Sequence, residues 1–233
     1  MPSTDSRHEH KRGAHPARAA RPGKFRRDAE IHTWAACAPH AAMKRIGLFG
    51  GSFDPVHNGH VLVARAALEE LSLDRLFIVP AARSPFKPEQ QPAPTAARLR
   101  LLHLAFAGCA DCEIDPQEVE RDGVSYSIDT IRAYAVRYPE AKLHYLIGAD
   151  HVQTLPQWRE ATDLAKLADF VVVPRPGQAV ADFPEPFCGQ ALRGWPFEVS
   201  SSAIRERLRF GQSIDGLVPS AVAESLQNDN PYT

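Results

Sequence analysis

Residues 46–60 read Ile-Gly-Leu-Phe-Gly-Gly-Ser-Phe-Asp-Pro-Val-His-Asn-Gly-His, and few folds accommodate such a stretch. The apolar run over 46–49 predicts a buried strand, and the pair Gly50-Gly51 breaks it. Residues 61–71 then place Ala64, Ala67, Leu68 and Leu71 at the spacing of one helix face. A strand that passes through a glycine turn into a helix is the building block of an α/β sheet. In open sheets of that class the turn lies at the carboxyl end of a strand, where ligands bind, and glycine lets the backbone approach a phosphate closely.

The remainder of the chain repeats the alternation. Compact apolar runs at 76–79, 112–114, 143–147, 170–173 and 196–199 predict further strands. Residues 96–107, with Leu99, Leu102 and Phe106 on one stripe, and 128–138, with Ile128, Ile131, Ala135 and Tyr138, predict amphipathic helices. A short helical segment holding Trp158 is expected between the strands at 143–147 and 170–173, and a last helix over 203–210. Residues 115–125 read as a polar loop, and the proline-studded 81–94 as a loop over a strand end. The expected fold is therefore α/β: a Rossmann-like parallel sheet with helices on both faces and a small C-terminal helical subdomain.

Residues 1–42 mix Arg, His, Ala and Pro without apolar periodicity and carry eight Lys/Arg against four acids. Such a segment cannot bury enough surface to offset its ordering entropy, so it is expected to be a disordered extension before a domain at 43–233. Met43 stands directly before the first strand and is the expected natural start. The whole chain has a formal net charge of −1. It thus has no global field to gather nucleic acid, and no nucleic-acid partner is expected. No run approaches the length of a membrane span and the N-terminus lacks a secretory h-region, so no membrane partner and a cytoplasmic location are expected. The C-x-x-C pair Cys109 and Cys112 has no second pair to complete a zinc site, and reduced thiols are expected.

Two stretches carry chemistry. Gly50, Gly51, Ser52 and Phe53 present backbone N–H groups where a strand gives way to a helix, a geometry that binds anions. His57 and His60 lie three apart in the first helical turn, so both imidazoles share a face. They have no third ligand nearby of the kind a zinc site needs, and no metal-ligating residues are expected. Gly59 between them is unfavourable in a helix and argues for a close neighbour. Asp54 reads as a turn cap. The second stretch is Ser200-Ser201-Ser202, three hydroxyls at a helix start with Arg205 one turn in, which makes another anion site. Two such helix starts in one domain suit a ligand with several phosphates.

The first stretch closely resembles the G-G-[ST]-F-D-P-x-H-x-G-H signature of the H-x-G-H nucleotidyltransferase superfamily, and Val199 to Arg205 is similar to its I-S-S-T-x-x-R motif, with Ser202 in place of Thr. Within that superfamily the chain resembles the bacterial nicotinate-nucleotide adenylyltransferases over nearly all of 45–227. Ser125 to Thr130 is similar to their S-Y-T-x-x-T segment, Gly148-Ala149-Asp150 to their G-x-D, Leu155 to Trp158 to a segment whose Trp stacks on a pyridine ring, and Arg175-Pro176-Gly177 to an R-x-G turn. Ser84 to Lys87 corresponds to a P-P-H-K-like loop in which Phe86 replaces the usual His.

The resemblance implies adenylyl transfer from ATP to nicotinate mononucleotide by direct in-line attack on the α-phosphate. It implies catalytic roles for His57, His60 and Arg205. ATP contacts would come from Gly50, Gly51, Ser52, Phe53, Arg175, Ser201 and Ser202, and acceptor contacts from Lys87, Tyr126, Ser127, Gly148, Asp150 and Trp158. Mg²⁺ would ride on the ATP phosphates. The residues themselves leave other readings open: nicotinamide mononucleotide or phosphopantetheine as acceptor, a non-catalytic nucleotide-binding regulator, or a redox role for Cys109 and Cys112.

Overall fold

The computed structural model describes residues 43–83, 91–121, 123–174, 181–195 and 197–232. The expected N-terminal extension, half of the 81–94 loop with Lys87, and Arg175 lie outside these residues. Six parallel strands form one sheet in the order β3-β2-β1-β4-β5-β6. They are β1 (Arg45–Gly51), β2 (Arg75–Pro80), β3 (Cys112–Ile114), β4 (Lys142–Gly148), β5 (Asp169–Val173) and β6 (Gly189–Ala191). The helices are α1 (Asn58–Glu70), α2 (Thr95–Phe106), α3 (Gln117–Arg121), α4 (Ser127–Arg137), α5 (Ala161–Leu167), α6 (Ser201–Arg209) and α7 (Ser220–Asn228), with a 3₁₀ segment at Ala149–Gln157.

The strand order reverses between β1 and β4, the two central strands, so their carboxyl ends diverge into different crossovers. A crevice opens at such a switch point. The register sets Phe49 of β1 beside Leu146 of β4 and Gly51 beside Pro80 of β2. Alternate side chains feed two cores. Phe49, Leu76, Ile78, Leu146 and Val171 join one cluster with α1, α2, α6 and α7. Ile46, Leu48, Phe77, Tyr145, Phe170 and Val172 join the other with α4 and α5. Burial on both faces explains why these strands read as continuous apolar runs rather than alternating ones. Ile204, Val222 and Leu226 share the first cluster, so the C-terminal helices are continuous with the core of the sheet.

Four expectations need correction. The strand at 196–199 is absent among its described residues: Val199 N–H bonds back to the Phe197 carbonyl at 3.1 Å and the chain runs on into α6. The edge of β5 is taken instead by β6, whose Gly189 faces Phe170 so closely that a Cβ would stand 2.2 Å from its carbonyl oxygen. Within the 115–125 loop lies α3, held by the Asp115 carboxylate accepting from Gln117 N–H at 2.9 Å. Trp158 sits just past the 3₁₀ segment, not within a helix. Finally, Cys109 and Cys112 form a disulfide with a Cα–Cα separation of 5.3 Å, because the turn that joins α2 to β3 bonds Cys112 N–H to the Cys109 carbonyl and brings the two together.

Candidate active site

The β1–α1 turn is built from buried parts. Phe53 turns through a left-handed backbone conformation (φ 46°) and is 1% exposed. A Cβ on Gly51 would meet its ring at 3.1 Å, so the second glycine is required by packing. Arg98 of α2, 1% exposed, clamps the turn from below. Its Nη1 donates to the Ser52 carbonyl at 2.9 Å and the Ala81 carbonyl at 2.8 Å, and its Nε to the Ala93 carbonyl at 3.1 Å. One guanidinium thereby ties the ends of β1 and β2 to the start of α2. Burial lowers the Arg98 pKa, opposed by the nearby Asp54 charge.

His57 is the N-cap of α1, and its backbone N–H donates to Nδ1 of His60 at 3.2 Å. The two rings stack with centroids 3.7 Å apart, and His60 also packs edge-on against Phe53 at 4.9 Å. With Nδ1 of His60 accepting, its proton is placed on Nε2. Loss of hydration lowers the His57 pKa to about 4. Burial, and then repulsion from His57, holds His60 well below the ordinary value. At neutral pH both are uncharged N–H donors.

Gly59 brings the two motifs into contact. A Cβ there would lie 3.0 Å from Cε1 and Nδ1 of His57 and 3.1 Å from Cγ1 of Val199. The serine helix start docks on the first turn through polar groups as well. Ser201 Oγ donates to the Pro55 carbonyl at 2.8 Å, and Arg205 Nη1 donates to the Asp54 carbonyl at 2.6 Å. Arg205 Nη2 reaches Ser202 Oγ at 3.3 Å, and Nη1 stands 3.7 Å from the Asp54 carboxylate. Ser200 caps α6, accepting from Ala203 N–H at 3.2 Å. Asp54 itself accepts from Ala93 N–H at 3.0 Å. It does more than cap a turn, because Arg98, Arg205 and the buried phenol of Tyr232 all face it. Burial and that carboxylate push the Tyr232 pKa far upward.

A pocket opens at the start of α4. It is lined by Tyr126, Ser127, Ile128, Gln157, Trp158, Arg159 and Leu164. Tyr126 and Ser127 occupy the N-cap and first position of α4. Trp158 is fixed edge-on to Tyr145, Phe170 and His151 and donates through Nε1 to Thr154 at 3.3 Å. Gly148 ends β4 and opens the 3₁₀ segment, with Asp150 exposed in its first turn. Tyr145 links this pocket to the β1–α1 turn: its hydroxyl is 2.9 Å from Ser127 Oγ and 3.0 Å from where a Cβ on Gly50 would stand.

His57, His60, Arg205, Ser201 and Ser202 are thus gathered at one turn. Tyr126, Ser127 and Trp158 lie one side chain away, and Phe53 is a core residue beneath them. Sequence reasoning missed Arg98 and Tyr145. An arginine on the apolar stripe of a helix was the available signal for Arg98; Tyr145 inside a strand run offered none.

The comparisons agree with this geometry. A family profile described as cytidylyltransferase-like matches residues 48–207. The probable nicotinate-nucleotide adenylyltransferase of Gemmatimonas aurantiaca is 42% identical over 197 residues, covering 81% of this chain and 92% of that protein. The nicotinate-nucleotide adenylyltransferase of Bacillus subtilis is 36% identical over 198 residues, covering 82% of this chain and 99% of that protein. Among solved structures, the Plasmodium falciparum nicotinic acid mononucleotide adenylyltransferase complexed with NaAD is similar with a TM-score of 0.66 at 17% identity, over 81% of this chain and 97% of that one, a likeness in fold. With the profile matched over 48–207 and relatives 42% and 36% identical over about four fifths of the chain, the chain belongs to the nicotinate-nucleotide adenylyltransferase family.

Proposed function

We propose that the chain transfers the adenylyl group of ATP to nicotinate mononucleotide, giving nicotinate adenine dinucleotide and pyrophosphate. The observation that carries the reading is the docking of two anion-binding helix starts on each other, with an aromatic pocket one tyrosine away. A phosphate oxygen of the acceptor forms a bond to the α-phosphorus while the bond to the bridging oxygen of pyrophosphate breaks. The attacking phosphate is already ionised at neutral pH, so no protein nucleophile is required and catalysis consists of positioning and charge stabilisation.

His57 and His60 donate N–H hydrogen bonds to the triphosphate. Being neutral and already oriented by the Nδ1 contact, they meet developing charge without reorganising. The backbone amides at the start of α6 and the guanidinium of Arg205 take the leaving phosphates, while the Ser201 hydroxyl holds α6 against the first turn and the Ser202 hydroxyl steadies Arg205 on the same helix. Trp158 and Tyr126 bracket the acceptor ring, with Ser127 and Gly148 at its edge and Asp150 beside the ribose. Lys87 and Arg175 supply further phosphate contacts by resemblance. Mg²⁺ enters on the triphosphate, where it neutralises charge. Such an ion would be held by phosphate oxygens and water. The reading places the enzyme in the cytoplasm.

A steady-state assay with ATP and each mononucleotide tests the reading. Pyrophosphate release that depends on nicotinate mononucleotide is expected, and a preference for the nicotinamide compound overturns the choice of acceptor.

A further inference from the structure

We infer that Tyr232 is a positioning residue for the nucleotide site: its hydroxyl donates to the Asp54 carboxylate when Arg205 turns from that carboxylate to the phosphates of ATP. This rests on the proposed adenylyl transfer, in which Arg205 takes the leaving phosphates, and adds to it the group that makes Arg205 available.

Tyr232 lies past α7 and is brought under the β1–α1 turn by contacts on either side. Asp229 pairs with Arg100 of α2 at 2.7 Å, and Tyr232 N–H donates to Asn230 Oδ1 at 3.0 Å. The ring belongs to the same cluster as Phe53 and Val56 of the turn. Its hydroxyl is buried and has no hydrogen-bond partner among the described residues. Even so, the Asp54 carboxylate stands close enough to push the phenol's pKa up, and the charges of Arg205 and Arg98 close enough to oppose the rise. A buried hydroxyl without a partner is uncommon and calls for a reason.

The reason lies in how Asp54 is held. Its Oδ1 accepts from Ala93 N–H at 3.0 Å. Its Oδ2 faces Arg205 Nη1 at 3.7 Å, too far for a hydrogen bond, while the same nitrogen donates to the Asp54 main-chain carbonyl at 2.6 Å. Nε and Nη1 of Arg98 are committed to three carbonyls. The carboxylate therefore depends on one amide and on the neighbouring charge of Arg205. Once Arg205 engages phosphate, a carboxylate whose side chain is only 11% exposed loses that charge, and a buried ion deprived of its partner is costly. The idle phenol beside it then supplies a charge-assisted hydrogen bond. That bond is made in the nucleotide-bound protein and not in the free one, so it favours binding.

The experiment pairs calorimetric titration with Mg²⁺-ATP and thermal unfolding of the ligand-free protein, for the wild type, Tyr232→Phe, Arg205→Ala and the double variant. In Y232F the ATP dissociation constant is expected to rise roughly ten- to a hundredfold, the range of a hydrogen bond to a charged group. The unfolding midpoint of free Y232F is expected to stay level or rise, since only an unpartnered hydroxyl is removed. Adding Y232F to R205A is expected to weaken ATP no further, because Asp54 there has no cation left to lose. An unchanged ATP affinity in Y232F refutes the role of Tyr232. So does an equal loss with and without Arg205, or a weaker affinity in Y232F accompanied by a lower midpoint, the pattern of a ring that only braces the turn. Pyrophosphate release is followed on the same wild-type preparation. ATP binding without release that depends on nicotinate mononucleotide overturns the proposed function, while the binding series decides Tyr232 separately.

Discussion

Gly59→Ala separates packing from stability more sharply than any change to a polar residue. The added Cβ would sit 3.0 Å from two atoms of the His57 ring and 3.1 Å from Val199. Ordinary contact begins at about 3.4 Å, so His57 and Val199 must retreat by roughly 0.3–0.4 Å, which is crowding of a kind that costs about 1–3 kcal/mol. Against that, alanine in place of glycine in a helix contributes up to about 1 kcal/mol. Net destabilisation of about 0–2 kcal/mol is expected, too little to unfold the domain. The geometric effect is larger, because His57 belongs to one of the two proposed anion sites and Val199 leads into the other. A misplacement near 1 Å costs about a hundredfold in rate, so a smaller one that spreads the two sites apart is expected to lower kcat about ten- to a hundredfold. Thermal unfolding and steady-state adenylylation on the same preparation measure both. A G59A variant that is more stable than the wild type and fully active would refute the claim that this glycine is kept for the contact between the motifs.

His60→Ala, with the fold intact by circular dichroism, is expected to lower kcat by about 10²- to 10³-fold, the loss seen when one preorganised donor is removed; near-normal turnover contradicts its place on the transferring group. Arg98→Met leaves the Ser52, Ala81 and Ala93 carbonyls without their donor and is expected to cost about 3–5 kcal/mol in urea unfolding, against which a loss below about 1 kcal/mol would count. Acid should weaken the ligand-free protein through His57. Its folded pKa, near 4, lies below the unfolded value of 6.5, so the unfolded chain takes up the proton first and stability falls as pH drops from about 6.5 to 4, by up to about 3 kcal/mol. Bound ATP, by favouring the protonated imidazole, should flatten that slope. Unfolding midpoints for the wild type and His57→Gln across this window, with identical slopes, would remove His57 as the cause.

How far the site was legible depended on whether its parts are contiguous. The run from Gly50 to His60 and the run from Ser200 to Arg205 each announce a helix start with donors, because glycine, serine and histidine at those positions have local physical consequences. Arg98 and Tyr145 were not legible as site residues. Arg98 serves carbonyls up to 46 positions away and Tyr145 meets Ser127 18 positions away, so a place on an apolar helix stripe was the one local hint for Arg98 and Tyr145 had none. The misplaced sixth strand has a related cause: residues 197–199 and 189–191 compete for one sheet edge, and the winner is set by close packing at Gly189 and by the demand that Val199 enter α6.

Local pattern alone determined that the chain folds as a parallel α/β sheet with a glycine turn leading into a helix, because apolar runs of strand length and helical periodicity need no partner to be recognised. Only the tertiary structure decided that the two helix starts meet. Val199 packs at Gly59, Ser201 bonds to Pro55 and Arg205 bonds to Asp54 across some 150 residues of chain. That joining is a matter of long-range hydrogen bonds and steric fit, and these exist only once the sheet has brought the ends of the chain together.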